Sequence, residues 1–463
     1  MPNQEIVTRP ARILVDCTET YLSGINTGIQ RVVRSIVERS DLITQYTGVP
    51  CIPVIAIGDR FYPLSSFPSL LKGSHGRRRF LEAGKSFYHF IDSLWKKLPV
   101  WREGQNARSN RSSEKRSFFS SSRVSLKRVG RNVLMRLFLG LLLIPDRTPL
   151  LLGAGDLLIM PDMFWGMKDP IRAATSFFDR GGMVISVVHD LIPLQYPQFC
   201  HEGSVEEFQK TLPQIISLSS GILTVSRSAQ KELATYLSKN FPGRYIPTRY
   251  FYHGADMASK NHFGETIRPL FHSLISGEGL YLMVGTIQPH KGHLVVLEAF
   301  QSMWAEGVKA NLCILGRLGG SGEGVLKSLR ASKFLEEKLF ICQDANDAEL
   351  SFLYSHAKAL VLASFAEGFG LPLVEAMNQN LSVVASDIPV FREIGGDYPE
   401  FFESGSAKDL VRAILKSEKK EKGEELPHSR TWITWDESVH DLSKNIIDLY
   451  LEAVMAARAS ISD

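Results

Sequence analysis

The chain has 463 residues, 44% apolar and 22% charged, as in an ordinary soluble globular protein of two or three domains. Lys and Arg exceed Asp and Glu by 53 to 49, so a net +4 does not call for a polyanionic partner. The five cysteines (Cys17, Cys51, Cys200, Cys313, Cys342) are odd in number and lack metal-ligand or CxxC spacing, which predicts a reduced cytoplasmic chain. A polar start predicts no signal peptide, and no apolar run reaches the ~18 residues of a spanning helix.

In chain order, short runs rich in β-branched residues predict strands at Ile13–Cys17, Leu157–Met160, Met183–Val188 and Ile222–Val225. In the second half they recur at Leu280–Gly285, Asn311–Gly316, Leu339–Cys342, Ala359–Ala363 and Leu381–Ala385. Helical stretches lie between them, His293–Phe300 being the clearest. Continuous apolar strands alternating with helices imply parallel sheets covered on both faces, here two doubly wound α/β domains. The expected division is 1–265, 266–435 and a closing helix over 436–463, with the polar stretch Ala258–Glu265 at the seam. Val439, Leu442, Ile446, Leu449 and Tyr450 form one helical stripe, and nearby Ser and Asp can cap the helix. It is expected to pack back on the first domain.

A segment within about 64–150 breaks the pattern. Between Trp101 and Arg136, ten Lys/Arg face two Glu, a net +8, and eight of the seventeen residues Ser109–Ser125 are serine. Such a composition cannot bury a core and reads as an insertion. It leads into the apolar dozen Val133–Ile144. That pairing suits an anionic membrane surface as well as a solvated loop. No aromatic-interleaved motif accompanies it, so nucleic acid is not expected as a partner.

The chemistry concentrates in Ser364-Phe-Ala-Glu367-Gly368-Phe369-Gly370-Leu371-Pro372-Leu-Val-Glu375. It follows a strand and opens a helix, with Pro372 in the first turn. Gly368 and Gly370 permit a sharp turn and close approach, and the helix tip favours a phosphate. Glu367 and Glu375 place a carboxylate at each end of a ligand whose phosphates lie between them.

The Glu-x7-Glu arrangement resembles the signature of the family 4 retaining glycosyltransferases, which have the two-domain GT-B fold. Val284-Gly285-Thr286-Ile287-Gln288-Pro289-His290-Lys291-Gly292 is similar to the family's loop carrying a phosphate-binding lysine. Thr27-Gly28-Ile29-Gln30-Arg31 resembles its first glycine loop and helix, particularly in bacterial polysaccharide and O-antigen mannosyltransferases. Val187-Val188-His189-Asp190, Leu223–Ser226 and Trp435–Ser438 match further segments in order.

The resemblance implies transfer of a hexose, first of all mannose from GDP-mannose, to a saccharide or lipid-linked saccharide in cell-surface polysaccharide synthesis. It assigns His189, Glu367 and Lys291 to catalysis. Gly28, Gly285, Thr286, Arg317, Gly368, Phe369, Gly370, Leu371 and Glu375 go to the donor, and Asp190 to the acceptor side. It implies no metal or cofactor; Asp-x-Asp is absent from the sequence. Many members carry a second cation at the position of Thr286 or His290; this chain does not, and Arg317 is the candidate replacement. Alternatives are a non-catalytic scaffold subunit of the same fold, or a GT-B epimerase or phosphorylase. The expected location is cytoplasmic, including the inner membrane face.

Overall fold

The computed structural model describes residues 9–23, 27–64, 148–163, 166, 168–256, 267–277, 279–419 and 432–462. The basic Ser-rich insertion, the apolar run Val133–Ile144 and the seam Ala258–Glu265 lie outside the described residues.

The first sheet holds β1 (Arg12–Asp16), β2 (Cys51–Ile57), β3 (Arg60–Pro63), β4 (Asp156–Met160), β5 (Met183–Val188), β6 (Gly221–Thr224) and β7 (Thr248–Tyr250). Their order is β3-β2-β1-β4-β5-β6-β7, parallel except for the β2–β3 hairpin. The second sheet holds β8 (Leu280–Val284), β9 (Asn311–Leu315), β10 (Leu339–Cys342), β11 (Ala359–Leu362), β12 (Ser382–Ser386) and β13 (Glu400–Phe402). It is wholly parallel, in the order β10-β9-β8-β11-β12-β13.

Alternate residues of each strand feed opposite cores, as the pleat requires. Leu14, Val54, Leu158 and Val184 pack under one face of the first sheet, while Ile13, Val15, Ile159 and Ile185 join a second cluster. That second cluster runs on through Trp435 and Phe369 to Leu282, Leu315 and Leu360 of the other sheet, so one apolar body crosses between the domains.

The closing helix, Trp435–Ser462, lies against the helix Ser40–Thr47 and strands β5 to β7. Val439, Leu442, Ile446 and Leu449 are fully buried there. Its start is capped by Thr434, which accepts from the Glu437 backbone N–H (3.2 Å) while Glu437 accepts from that of Thr434 (2.7 Å). The remote Asp256 accepts from the Trp435 N–H. Two chain segments therefore run side by side where the polypeptide passes between domains, with Ala255 N–H bonded to the Ile433 carbonyl (3.1 Å).

In each sheet the strand order reverses once, between β1 and β4 and between β8 and β11. Ligand crevices of open parallel sheets form outside the carboxyl ends of the strands at such points. Among the described residues no helix is long and apolar enough to cross a membrane.

Candidate active site

The loop after β11 carries Ser364, Glu367 and Gly368, then turns at Gly370 into the helix Leu371–Asn378. Gly370 adopts φ +98°, a left-handed conformation that favours glycine, and this aims the first N–H groups of the helix at the crevice. The neighbouring loop after β8 holds Gly285 and Thr286, then a short turn ending in Lys291. The Phe365 N–H bonds to the His290 carbonyl (2.8 Å), which ties the two loops together.

Lys291 Nζ donates to Glu367 Oε1 at 2.5 Å, and Ser364 Oγ donates to the same oxygen at 2.7 Å. Burial alone pushes the Glu367 carboxyl up, but Lys291 and the two donated hydrogen bonds outweigh it and hold the group below the usual carboxylate range. Glu367 is thus an anion with Oε2 left for a hydroxyl. Asp190, across the crevice, is pushed up to about 6 by burial, with the Glu367 charge adding and Lys291 opposing. It and Glu367 therefore sense one another's charge from facing domains.

His189 follows β5 and is buried, which lowers its pKa to about 4. Its Nε2 lies 2.8 Å from the Pro161 carbonyl, an acceptor only, so Nε2 carries the hydrogen. A neutral imidazole in that tautomer keeps Nδ1 as an acceptor. His290 is likewise lowered to about 4, by burial and then by Lys291. It places a neutral ring at one of the two positions where the family resemblance implies a second cation.

Glu375 sits one turn inside the Leu371–Asn378 helix and is 1% exposed. Tyr354 donates its hydroxyl to Oε2 (3.0 Å), and Arg31 of the first domain pairs with Oε1. The domains also meet where Ser226 Oγ donates to the Gly368 carbonyl (2.7 Å). Glu393 accepts from the backbone N–H groups of Arg227 and Ser228, both at 2.7 Å, capping the helix Arg227–Asn240 from the other domain. Gly368 lies so close to the first domain that a Cβ there would stand 2.2 Å from the His189 carbonyl oxygen.

The structure thus brings together Lys291, Glu367, Gly368, Phe369, Gly370, Leu371, Asp190 and His189 at one crevice, with Gly285 and Thr286 on its second-domain wall. Phe369 packs against His253, a residue of the crossover segment, with the rings tilted by 40° and their centroids 4.6 Å apart. Glu375 lies one turn behind the helix tip, and Arg317 alone of the predicted residues is set apart. Arg317 stands exposed, its backbone carbonyl bonded to the Ile287 N–H (2.8 Å), with no ion pair among the described residues. Gly28 begins the helix Gly28–Val37, and a Cβ there would meet nothing within 4 Å. Among the described residues no cluster of three or more His, Cys, Asp or Glu could hold a metal ion.

Sequence reasoning passed over three contributors. Arg31 lies in the Thr27–Arg31 motif, which by itself gives it no role. Tyr354 lies in the helix Asp347–His356, outside every motif of the sequence. Glu393 carried no local signal at all.

Two parallel-sheet domains meeting at a crevice with a lysine, a helix tip and paired carboxylates have the GT-B fold. Over 98% of the chain it superposes on all of Anabaena HepE, crystallised with UDP and glucose, at TM-score 0.51 and 13% identity, a likeness of fold. Residues 271–431 match the family model described as Glycosyl transferases group 1, and the curated relatives include mannosyltransferases. It is 32% identical over 310 residues to the Escherichia coli serotype-specific mannosyltransferase WbdA. That match takes in 64% of this chain but 38% of WbdA, so the chain spans under two fifths of that relative. The E. coli O-antigen chain mannosyltransferase B is 27% identical over 276 residues, 58% of this chain and 72% of the relative.

Proposed function

We propose that the protein transfers a mannosyl group, with retention of configuration, from GDP-mannose to a hydroxyl of a saccharide acceptor in cell-surface polysaccharide synthesis. The observation that carries this reading is the Lys291–Glu367 pair set beside the tip of the Leu371–Asn378 helix, facing His189 and Asp190. The bond from the sugar C1 to the phosphate oxygen breaks, and its electron pair leaves with the diphosphate. Lys291 and the helix N–H groups stabilise that growing charge. The acceptor oxygen bonds to C1 on the face the phosphate vacates, and its proton passes to a phosphate oxygen. Glu367 holds the donor sugar through hydroxyls, and Glu375 takes the ribose. The transition state resembles the oxocarbenium ion of glycoside hydrolysis, and no protein nucleophile is required. His189, neutral and fixed by Pro161, offers Nδ1 to a sugar hydroxyl.

Support for mannose comes from the mannosyltransferase relatives and from the Thr27–Arg31 motif, which resembles that of bacterial polysaccharide mannosyltransferases. A lipid-linked acceptor at the inner membrane face would give the basic, apolar insertion a use. No metal ion or cofactor is called for, because cationic side chains and the helix tip serve the leaving group.

A thermal-shift panel of GDP- and UDP-sugars tests the reading, since a ligand that binds the folded state raises the melting temperature. The expected result is a shift with GDP-mannose that exceeds those with UDP-sugars. A shift with UDP-sugars alone overturns the choice of donor. No shift with any nucleotide sugar, and no cellular effect of Glu367→Ala, identifies a non-catalytic scaffold.

A further inference from the structure

The donor crevice has a charge problem that its own domain does not solve. Lys291 is its ammonium, and that charge is already matched by Glu367 at 2.5 Å. Glu375 adds a second buried anion. The tip of the Leu371–Asn378 helix supplies roughly half a positive charge. A nucleoside diphosphate bringing two or more negative charges would therefore enter a crevice that is not positive. Neither Thr286 nor the neutral His290 changes that balance, and Arg317 stands away from these carboxylates.

The facing domain does supply a cation. Arg31, in the first turn of the helix Gly28–Val37, crosses the crevice and pairs with Glu375. Tyr354 fixes the other carboxylate oxygen, so the acid is held in place to receive the guanidinium. Burial opposes the charge on Arg31, but Glu375 and then Asp347 outweigh it, and the group stays firmly protonated. Its side chain remains about a quarter exposed. One N–H is engaged by Glu375, and a guanidinium has five. Glu375, on which it rests, lies about one helical turn from the anion-binding tip.

We propose that Arg31 is the second positive charge of the donor site, supplied by the facing domain, and that it recognises the diphosphate while anchored on Glu375. The assignment rests on the nucleotide-sugar reading above and adds a residue to it. It also makes diphosphate recognition conditional on closure, because an open crevice withdraws Arg31 from the helix tip. A carboxylate with two oxygens can keep the guanidinium and still accept from ribose hydroxyls.

Titration calorimetry of GDP against GMP, and UDP against UMP, on the full chain and on Arg31→Ala and Arg31→Lys tests this. For the preferred base, Arg31→Ala is expected to weaken diphosphate binding by roughly 10- to 100-fold, the worth of a charge-assisted hydrogen bond. Monophosphate binding should fall by less than about threefold on the same scale, and Arg31→Lys should recover part of the loss. A guanidinium that only latches the domains would lower diphosphate and monophosphate affinity by one common factor. That outcome, or an Arg31→Ala protein that separates the two as well as wild type does, overturns the role of Arg31. Wild-type protein that binds neither pair overturns the nucleotide-sugar reading, and this inference with it.

Discussion

In the proposed reaction Lys291 carries the heaviest load of any single side chain, because a departing diphosphate must be met by charge already in place. Its pairing with Glu367 orients both groups before a donor arrives, and Ser364 holds the shared oxygen from the other side. Lys291→Ala is expected to lower kcat/KM for the donor by roughly 100- to 1,000-fold, as for loss of one preorganised donor at a developing charge. The melting temperature of the free protein should move little, because a buried carboxylate that loses its cation can take up a proton instead. Initial rates with GDP-mannose check the first statement and a melting curve the second. An unaltered rate would remove Lys291 from the chemistry.

At the scale of elements, the ends of β1 and β4 hold a second pair of acids at the first sheet's switch point. Asp16 accepts from the Thr18 N–H and hydroxyl, and Asp162 from the Thr20 N–H (2.7 Å) and hydroxyl (3.0 Å). They thereby fix the helix Thr18–Ser23 on neighbouring strands. Burial raises Asp16 to about 6, and burial with the charge of Asp16 raises Asp162 to about 7. Both acids hold a proton more tightly folded than unfolded. Their contribution to stability is therefore complete below about pH 4 and is lost as pH rises through about 6 and 7. The buried His189, His290 and His293 act in the opposite sense. Lowered to about 4 by burial, they cost stability as pH falls from about 6.5. Asp16→Asn keeps an acceptor for Thr18, removes one titration and relieves the other. Measured against wild type, its melting temperature should compare more favourably at pH 8 than at pH 5. A difference that stays constant across that range would show that the pair does not titrate there.

The whole molecule is a closed pair of domains joined by contacts of mixed character. Arg31–Glu375, Ser226–Gly368 and the Glu393 cap are polar, while Phe199 packs on Phe365 at 5.0 Å and His253 on Phe369. Polar contacts of this kind can exchange with water as the crevice opens. Apolar contacts around Trp432 and Trp435 lie where the chain passes between the domains. The basic insertion belongs to this scale too. A chain lacking 109–130 is expected to keep its donor-induced thermal shift and to lose most of its co-sedimentation with anionic lipid vesicles. The wild-type co-sedimentation should weaken as salt is added. If the shortened chain sediments as well as the full one, the insertion is not the membrane contact.

Much of the fold was legible in the residues. Strands buried on both faces are continuous apolar runs, and nine were placed to within a residue or so on that signal. β2 escaped because Pro53 interrupts it, although that proline pairs with Val15 in the interior of the sheet. β3, an antiparallel edge strand, and the three-residue β7 and β13 are too short to show a period. The Glu367–Glu375 loop was equally legible, since it is one contiguous stretch whose turn and helix chemistry are local. Which cation meets Glu375 was not, because Arg31 lies on another domain. Nor was the partner of Glu393, 165 residues from Ser228. Residue order dictates local conformation and which faces are apolar, since backbone preference and side-chain period act over a few neighbours. Charge pairing across the crevice depends on how two separately folded sheets are docked, and only the assembled molecule decides that.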